Sequence, residues 1–331
     1  MVPGEEAIRA SVIVPNWNGA PLLKPLLASL RSQEGVEEVI VVDNGSLDNS
    51  VGLAREAGVR VIALATNTGF AAAVNRGIEA STGTWLAIIN NDVELGSHWV
   101  QTLAAGATVA GAWFATGKLL DAGRRDFIDG TYDAICAGGT AWRCGAGRLD
   151  QPLWNREKPI RFPPFTAILV RKELFDRAGL LDESFESYLE DVEFGLRCAT
   201  KGFSGIYVPS AVAYHRGSAT LGRWHRDTVR RISRNQVLLL ARYYPAGWIL
   251  KCGWRVIVAQ GLWGLLALRH GAGWPWMLGK VEGWRKFHAG RGLGSAGLFA
   301  ILEESESEIR ELQRETGQDL YWKLYFALTC R

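Results

Sequence analysis

This 331-residue sequence predicts a doubly wound α/β fold that gives way to a helical C-terminal region. Three observations predict it. Short β-branched runs alternate with leucine- or alanine-rich helical stretches as βαβαβαβ, the order that winds helices over both faces of a mostly parallel sheet. One apolar run, LAII, passes straight into Asn90, Asn91 and Asp92, as a strand does when its carboxyl end opens on a ligand crevice. Beyond about residue 235 strand patterns cease, and the chain reads as helical and tryptophan-rich.

The elements follow in order. SVIVP (11–15) and VIVVD (39–43) are β-branched and bounded by turn residues, so each reads as a buried parallel strand. Between them, Leu22, Leu23, Leu26, Leu27 and Leu30 recur at helical spacing over 20–32, with Pro21 tolerated in the first turn. A helix carrying Leu53 and Ala54 leads to the strand VRVIAL (59–64). NTGFAAAVNRGIEAS (67–81) is then a helix opened by Gly69, and WLAII (85–89) is the fourth strand. From Leu119 to Pro164 periodicity is weak, which is where a substrate-shaping insertion belongs. Regularity returns with AILVRKELFDRAGLLDESF, the amphipathic helix of YLEDVEFGLRCATKGF, and the strand GIYVPSAVAYH. An acidic helix, ILEESESEIRELQRE, and a last amphipathic run, DLYWKLYFAL, close the chain. The organisation expected is a catalytic region, 1–235, and a helical, basic, membrane-associating region, 236–331.

Charge is uneven. The net value is +3, yet Leu221 to Gly290 holds twelve Lys/Arg against Asp227 and Glu282, with seven of the fourteen tryptophans. Such a segment suits an anionic surface. Its most hydrophobic window, Val256 to Leu268, is thirteen residues between Arg255 and Arg269. That is short of the roughly 20 a spanning helix needs, so the window is expected to lie in a membrane interface. The five cysteines are scattered, without CxxC, as in a reducing compartment. MVPGEEAIRA has no apolar core of a signal peptide, and the expected location is cytoplasmic, at the inner face of the membrane.

Neither GxGxxG nor GxxxxGK[ST] occurs, which argues against the usual dinucleotide and P-loop sites. Several residues have two readings each. Asn90, Asn91 and Asp92 deliver a metal ligand or simply close a strand through their own backbone. Asp43 accepts hydrogen bonds from a ribose or base, or caps a turn. Trp17 stacks on a base or packs on the sheet. Glu190 and Asp191 do chemistry or favour the helix dipole, whereas Glu193 and Arg197, four apart, form an ordinary helix pair. Arg216, Arg223 and Arg226 suit a diphosphate or a solvated helix.

Four features in this order, SVIVPNWNG, VVDNGSLDNS, NTGFAAAVNRGIEASTGTWLAIINND and YLEDVEFGLRCATKGFSGIYVPSAVAYH, together resemble the family 2 glycosyltransferases of the GT-A fold. The PNWNG opening resembles the bacterial rhamnosyltransferase branch, and the likeness runs over about residues 10–240. It implies a mixed GT-A sheet, attack of an acceptor hydroxyl on a nucleotide-diphosphate sugar, and Mg2+ or Mn2+ to stabilise the leaving diphosphate. Asp92, last of a DxD-like motif, and His215 would ligate that metal. Asp191 would be the general base and Glu190 would line the acceptor pocket. Pro15, Trp17, Asn18, Asp43, Asn67 and Asn91 would bind the nucleotide. Asn90 stands where many relatives carry Asp, which implies weak metal binding until the donor's phosphates complete the shell. Phe165-Thr166 stands at the acceptor subsite where Gly-Ala is common. One base without a second catalytic carboxylate implies single displacement and inversion.

The implied donor is dTDP-rhamnose, with a UDP-sugar as the alternative, and the implied acceptor is a polyprenyl-linked saccharide or an oligosaccharide. Two rival readings are weighed on the same residues. A nucleotidyltransferase wants a basic loop for a triphosphate, and PNWNGAPLL has no positive charge. A non-catalytic membrane or nucleic-acid binder remains, but the acids Asp43, Asp92, Glu190 and Asp191 would repel a phosphate backbone, so no nucleic-acid partner is expected.

Overall fold

Each β-branched run is a strand in the computed structural model, which describes residues 8–217, 224–288, 291, 292, 294 and 297–329. The first half is β1 (Ala10–Asn16), α1 (Ala20–Leu30), β2 (Val36–Asp43), α2 (Ser50–Glu56), β3 (Arg60–Ala63), α3 (Phe70–Ala80) and β4 (Trp85–Ile89). Next come β5 (Val93–Leu95), α4 (Trp99–Val109), β6 (Phe114–Asp121), β7 (Ile128–Gly130), β8 (Asp133–Ile135), β9 (Ala141–Arg143) and β10 (Lys158–Ile160). The chain continues with β11 (Ala167–Arg171), α5 (Glu173–Ala178), α6 (Glu190–Thr200) and β12 (Gly205–His215). Five helices end the chain: α7 (Arg226–Tyr243), α8 (Ala246–Arg269), α9 (Gly273–Phe287), α10 (Leu298–Thr316) and α11 (Leu320–Thr329).

Ten of the strands form one mixed sheet in the order β10-β12-β6-β11-β4-β1-β2-β3, with β5 on β12 and β7 on β6, and β8 and β9 pair as a separate two-stranded sheet. β1 pairs in parallel with both β2 and β4. The chain winds outward from β1 to β3 and then returns to the other side of β1, so β1 and β4 flank a topological switch point. Ligand crevices open at the carboxyl ends of such strands.

Side-chain alternation assigns two cores. Val12, Val14, Ala87 and Ile89 point to one face, under Leu23, Leu26, Trp99 and Leu103 of α1 and α4. Ile13, Ile40, Leu86 and Ile88 point to the other, under Val74 and Ile78 of α3 and Phe194 of α6. Both faces are covered, so these strands need apolar residues at every position rather than at alternate ones.

One central strand is missing from the sequence-based expectation. FATGKLLD forms β6, between β11 and β12, although Thr116, Gly117 and Lys118 interrupt its apolar run. Lys118 is buried with its ammonium on Asp150 at 2.8 Å. A Cβ on Gly117 would come within 1.9 Å of the Ala211 carbonyl oxygen, so glycine is what lets the strands close there.

The C-terminal helices do not stand apart. The division expected at residue 235 falls inside α7, and Asn235 is wholly buried. α10 lies on β8, where Ser305 Oγ accepts from Ile135 N and Glu306 accepts from Ala137 N, each at 2.8 Å. Trp322 and Tyr325 of α11 belong to the same core as α3. Among the described residues no helix is long and apolar enough to cross a membrane. Arg223 lies outside the described residues.

Candidate functional site

A cavity of about 520 Å³ opens at the switch point, lined by the residues that follow β1 and β4, by the end of β12, and by the start of α6. Of the residues singled out in the sequence, Pro15, Trp17, Asn67, Asn91, Asp92, Glu190, Asp191 and His215 line it. Asn18 and Asp43 do not. Asn18 Oδ1 accepts from Leu47 N at 2.8 Å, in a turn outside the cavity. Asp43 is buried and its carboxylate is occupied, accepting from Asn16 Nδ2 at 2.9 Å, Ser46 N at 3.0 Å and Ser46 Oγ at 2.6 Å. Its reach is therefore indirect.

That indirect route is a relay of carboxamides. Asp43 fixes the amide of Asn16, and Asn16 Oδ1 accepts from Asn91 Nδ2 at 2.7 Å, so two cavity-lining carboxamides on β1 and after β4 hold each other. Gly19 makes room for them: a Cβ there would lie 2.1 Å from Asn91 Nδ2 and 2.5 Å from Asn16 Oδ1. Gly19→Ala is expected to separate the pair and leave both groups half-satisfied, which costs on the order of 1–3 kcal/mol. Nucleoside-diphosphate affinity by calorimetry should fall roughly 5- to 150-fold by the same scale. An unchanged affinity would remove the relay from the site. On the other wall, Asn67 is held by Asn44, whose Nδ2 donates to Asn67 Oδ1 at 3.1 Å and to the Gly69 carbonyl at 2.9 Å.

Strand register brings Asp92 and His215 together. β5 runs antiparallel to β12 with Val93 opposite His215, so Asp92 arrives beside the imidazole, and its Oδ1 lies 3.2 Å from Nε2. The other ring nitrogen, Nδ1, is 2.7 Å from Asp129 Oδ2 on β7. Burial opposes charging of the ring, but the hydrogen bonds to Asp129 and Asp92 outweigh it and push the His215 pKa up to about 9. Because Asp129 sits on the far side of the ring, it orients the imidazole rather than sharing a ligand with Asp92.

No group of three or more His, Cys, Asp or Glu able to hold a metal occurs among the described residues. The donors present are fewer but of the right kind. Beside Asp92 and His215, Asn90 Oδ1 lines the cavity as a buried oxygen with no hydrogen-bond partner among the described residues. A carboxylate, an imidazole and an unclaimed carboxamide oxygen fit a small dication whose remaining positions come from phosphate oxygens.

The N-terminus of α6 brings Glu190 and Asp191 to the same cavity. The approach to it is strained: Glu186, Tyr188 and Leu189 all have positive φ, of 59°, 72° and 65°. Non-glycine residues hold such angles only where their surroundings over-determine them. Here Asn235 Nδ2 of α7 donates to the carbonyls of Phe185, Ser187 and Tyr188, and Arg234 pairs with Glu186. Gly69, at φ 93°, lets α3 close on the same loop, since a Cβ would meet the Glu186 backbone at 2.8 Å.

Arg143 of β9 spans two acids, with Nε 3.1 Å from Asp133 and Nη2 3.7 Å from Asp191 Oδ2, while Nη1 donates to Thr166 Oγ1 at 2.8 Å. Thr166, one of the residues departing from the common Gly-Ala, thus supplies a hydroxyl that steadies the guanidinium. Burial raises the Asp191 pKa most, the charge of Asp133 adds to this, and Arg143 partly offsets both, for a value of about 6. Glu190 is pushed well above the usual carboxylate range by burial and by its neighbour Asp191, and its Oε2 is buried without a partner among the described residues. Glu193 and Arg197 form the expected helix pair at 2.9 Å. Arg216 and Arg226 are exposed and do not line the cavity; Arg231 does.

Asp129, Asp133 and Arg143 were not legible as site residues. They lie on three-residue strands within the stretch 119–164, too short to give a periodic signal. The substrate-shaping role expected of that stretch is where β8 and β9 stand, as a hairpin whose Asp133 and Arg143 line the cavity.

A family model described as glycosyl transferase family 2 matches residues 11–177. An N-acetylglucosaminyl-diphospho-decaprenol L-rhamnosyltransferase of Mycobacterium tuberculosis is 28% identical over 287 residues, covering 78% of this chain and 90% of its own. A PGL/p-HBAD biosynthesis glycosyltransferase of Mycobacterium bovis is 30% identical over 195 residues, covering 57% of this chain and 68% of its own. Among solved structures, GalNAc-T7 with UDP, GalNAc and Mn2+ superposes with a TM-score of 0.66 at 14% identity, over 96% of this chain and 60% of that one, a likeness of fold.

Proposed function

The chain belongs to glycosyl transferase family 2 and is a glycosyltransferase with the GT-A fold, and from that premise we propose that it transfers rhamnose from dTDP-rhamnose, with inversion, to a lipid-linked saccharide. The observation that carries the reading is the composition of one cavity: Asp92 and His215, in contact with each other, line it together with Asp191. The likeness to an enzyme named for a decaprenol-linked substrate and for rhamnose supports the donor and acceptor classes.

Asp92 and His215 would hold a divalent cation, and the unpartnered Asn90 Oδ1 lines the same cavity. Such a cation, when bound, neutralises charge on the leaving diphosphate. The remaining work belongs to the chain. Asp129 keeps the proton on His215 Nδ1, which leaves Nε2 as the nitrogen turned towards Asp92. Trp17, Asn67 and Asn91 line the nucleotide side of the cavity. Asp191 accepts the proton of the acceptor hydroxyl as that oxygen bonds to the anomeric carbon; the bond from this carbon to the diphosphate breaks and its electron pair leaves with the nucleoside diphosphate. Attack from the face opposite the leaving group inverts the configuration. Arg143 keeps Asp191 in place and ionised near neutral pH.

A base with a pKa of about 6 is mostly ionised at pH 7.5, yet takes a proton more readily than an ordinary aspartate. Below that value it is protonated and idle. Transfer is therefore expected to fall about tenfold per pH unit below 6, read as kcat/KM for acceptor. The charge of Asp133 raises that pKa, so Asp133→Asn should move the acid limb to lower pH; a limb that stays in place would separate Asp133 from the base.

The deciding experiment is a panel of dTDP-, UDP- and GDP-sugars with a polyprenyl-diphosphate saccharide acceptor and Mg2+ or Mn2+, products resolved by mass and by anomeric configuration. Turnover with dTDP-rhamnose alone supports the proposal. Preference for a UDP-sugar replaces the donor, and a retained configuration replaces the mechanism.

A further inference from the structure

α8 and α9 leave apolar stripes uncovered. On α8, Trp254, Ile257, Leu265 and Leu268 share one face and expose 58–66% of their surface. On α9, Trp274, Met277, Val281 and Trp284 recur at spacings of three and four and expose 41–59%. The two helices are packed as a hairpin: a Cβ on Gly264 of α8 would meet the Trp276 ring of α9 at 2.8 Å.

The direction of the α9 stripe follows from helix geometry. Its buried row is Pro275, Gly279, Gly283 and Phe287, and the glycines sit against α7, where a Cβ on Gly279 would lie 2.1 Å from the Arg230 carbonyl oxygen. At about 100° per residue the exposed row is half a turn away from this one. It points directly away from the body of the protein. Exposed apolar patches of this kind mark contact sites rather than ordinary surface.

Charge selects the occupant. From Ala246 to His288 there are six Lys/Arg and one acid, Glu282, which is taken by Arg230. Lys280 is turned inward onto Gln236 and the Ser233 carbonyl and Arg255 is half-buried towards Glu306, so among the described side chains the exposed cations are Arg269, Arg285 and Lys286. A second copy laid face to face would bring this cationic rim against itself. A bilayer bearing anionic headgroups meets both demands, with tryptophans at headgroup depth and cationic ends at the phosphates.

We propose that the α8–α9 face docks the protein flat on an anionic lipid surface through Trp254, Trp274 and Trp284, rimmed by Arg269, Arg285 and Lys286. This gives the lipid-linked acceptor reading a physical surface and rests on that reading for its purpose, but it is tested without any sugar.

The test is co-sedimentation of the full chain with vesicles of phosphatidylcholine alone or mixed with phosphatidylglycerol. The parent should pellet with the mixed vesicles and less with phosphatidylcholine, and high salt should weaken binding. The triple variant R269E/R285E/K286E should bind mixed vesicles roughly a hundredfold more weakly. W254S/W274S/W284S should lose binding to both; because Trp254 Nε1 donates to the Leu328 carbonyl of α11 and Trp284 stacks on Phe287, W274S/V281S is the fold control, weakening vesicle binding while its thermal melt and its transfer to a water-soluble acceptor stay close to the parent's. No pelleting of the parent, or a parent dimer that the tryptophan variant alone splits into monomers, would overturn the proposal. Vesicle binding without transfer to any acceptor would keep the docking face and remove the transferase assignment of donor and acceptor.

Discussion

Asp191→Asn is expected to bind the sugar-nucleotide donor as the parent chain does and to lose transfer by roughly 10²- to 10⁴-fold, the usual contribution of a positioned base. The substitution keeps the shape of the side chain and leaves an oxygen for the hydrogen bond that Val192 N donates to Oδ1. Asp92, His215 and the Asn16–Asn91 pair lie on other elements and are untouched. What disappears is the ability to take a proton. Stability provides the control. A carboxyl whose pKa is raised in the folded state opposes folding above that pKa, so at pH 7.5 the neutral amide should melt at the same temperature or higher. Glu190→Gln separates the neighbours: it neutralises the other acid at the start of α6, whose carboxyl is pushed well above the usual carboxylate range by burial and by the charge of Asp191. Titration calorimetry with donor, together with single-turnover transfer, reads both effects. If Glu190→Gln costs as much transfer as Asp191→Asn, the base has been assigned to the wrong acid.

The parts of this molecule that could be read in the sequence are those whose physics is local. SVIVP, VIVVD and WLAII are buried on both faces, and continuous β-branched runs report that directly. Asp92 and His215 could be named because each ends a legible strand and because the order of motifs resembles a known family. Their adjacency was implied by that resemblance alone and has no local signal, since it depends on the pairing of β5 with β12, and β5 is only three residues long. β6 was hidden for a different reason. Its Lys118 satisfies a buried charge with Asp150, thirty-two residues away, and no window along the chain reveals such a partner. Asp43 shows the reverse. A carboxylate at a strand end looks free in the sequence, but this one accepts from Asn16 Nδ2, Ser46 N and Ser46 Oγ, and only coordinates show those partners.

A chain cut after Asn235 is expected to lose its fold, not only an attachment to lipid. Leu238, Leu239 and Leu240 in the second half of α7, with Leu298 and Leu302 of α10, share a buried cluster with Phe185, Val192 and Leu196. Ile309, Leu312, Trp322 and Tyr325 fill the sheet core beneath β6 and β7. Burying side chains of this size contributes roughly 1.5–3 kcal/mol each. Nine such losses exceed the ~5–15 kcal/mol that holds a typical domain together. The cut also strips Ile135 N and Ala137 N of their acceptors on α10. The damage reaches the site through β8, because Asp133 is two residues from Ile135 and sets the environment of Asp191 through Arg143. Circular dichroism of the 1–235 chain should show no cooperative thermal transition, whereas the single change Leu239→Ala in the full chain should keep one, lowered by the ~2–5 kcal/mol of a core cavity. A cooperative melt of the short chain near that of the parent would restore residue 235 as a true boundary. It would also free the helical region to be read as an attachment alone.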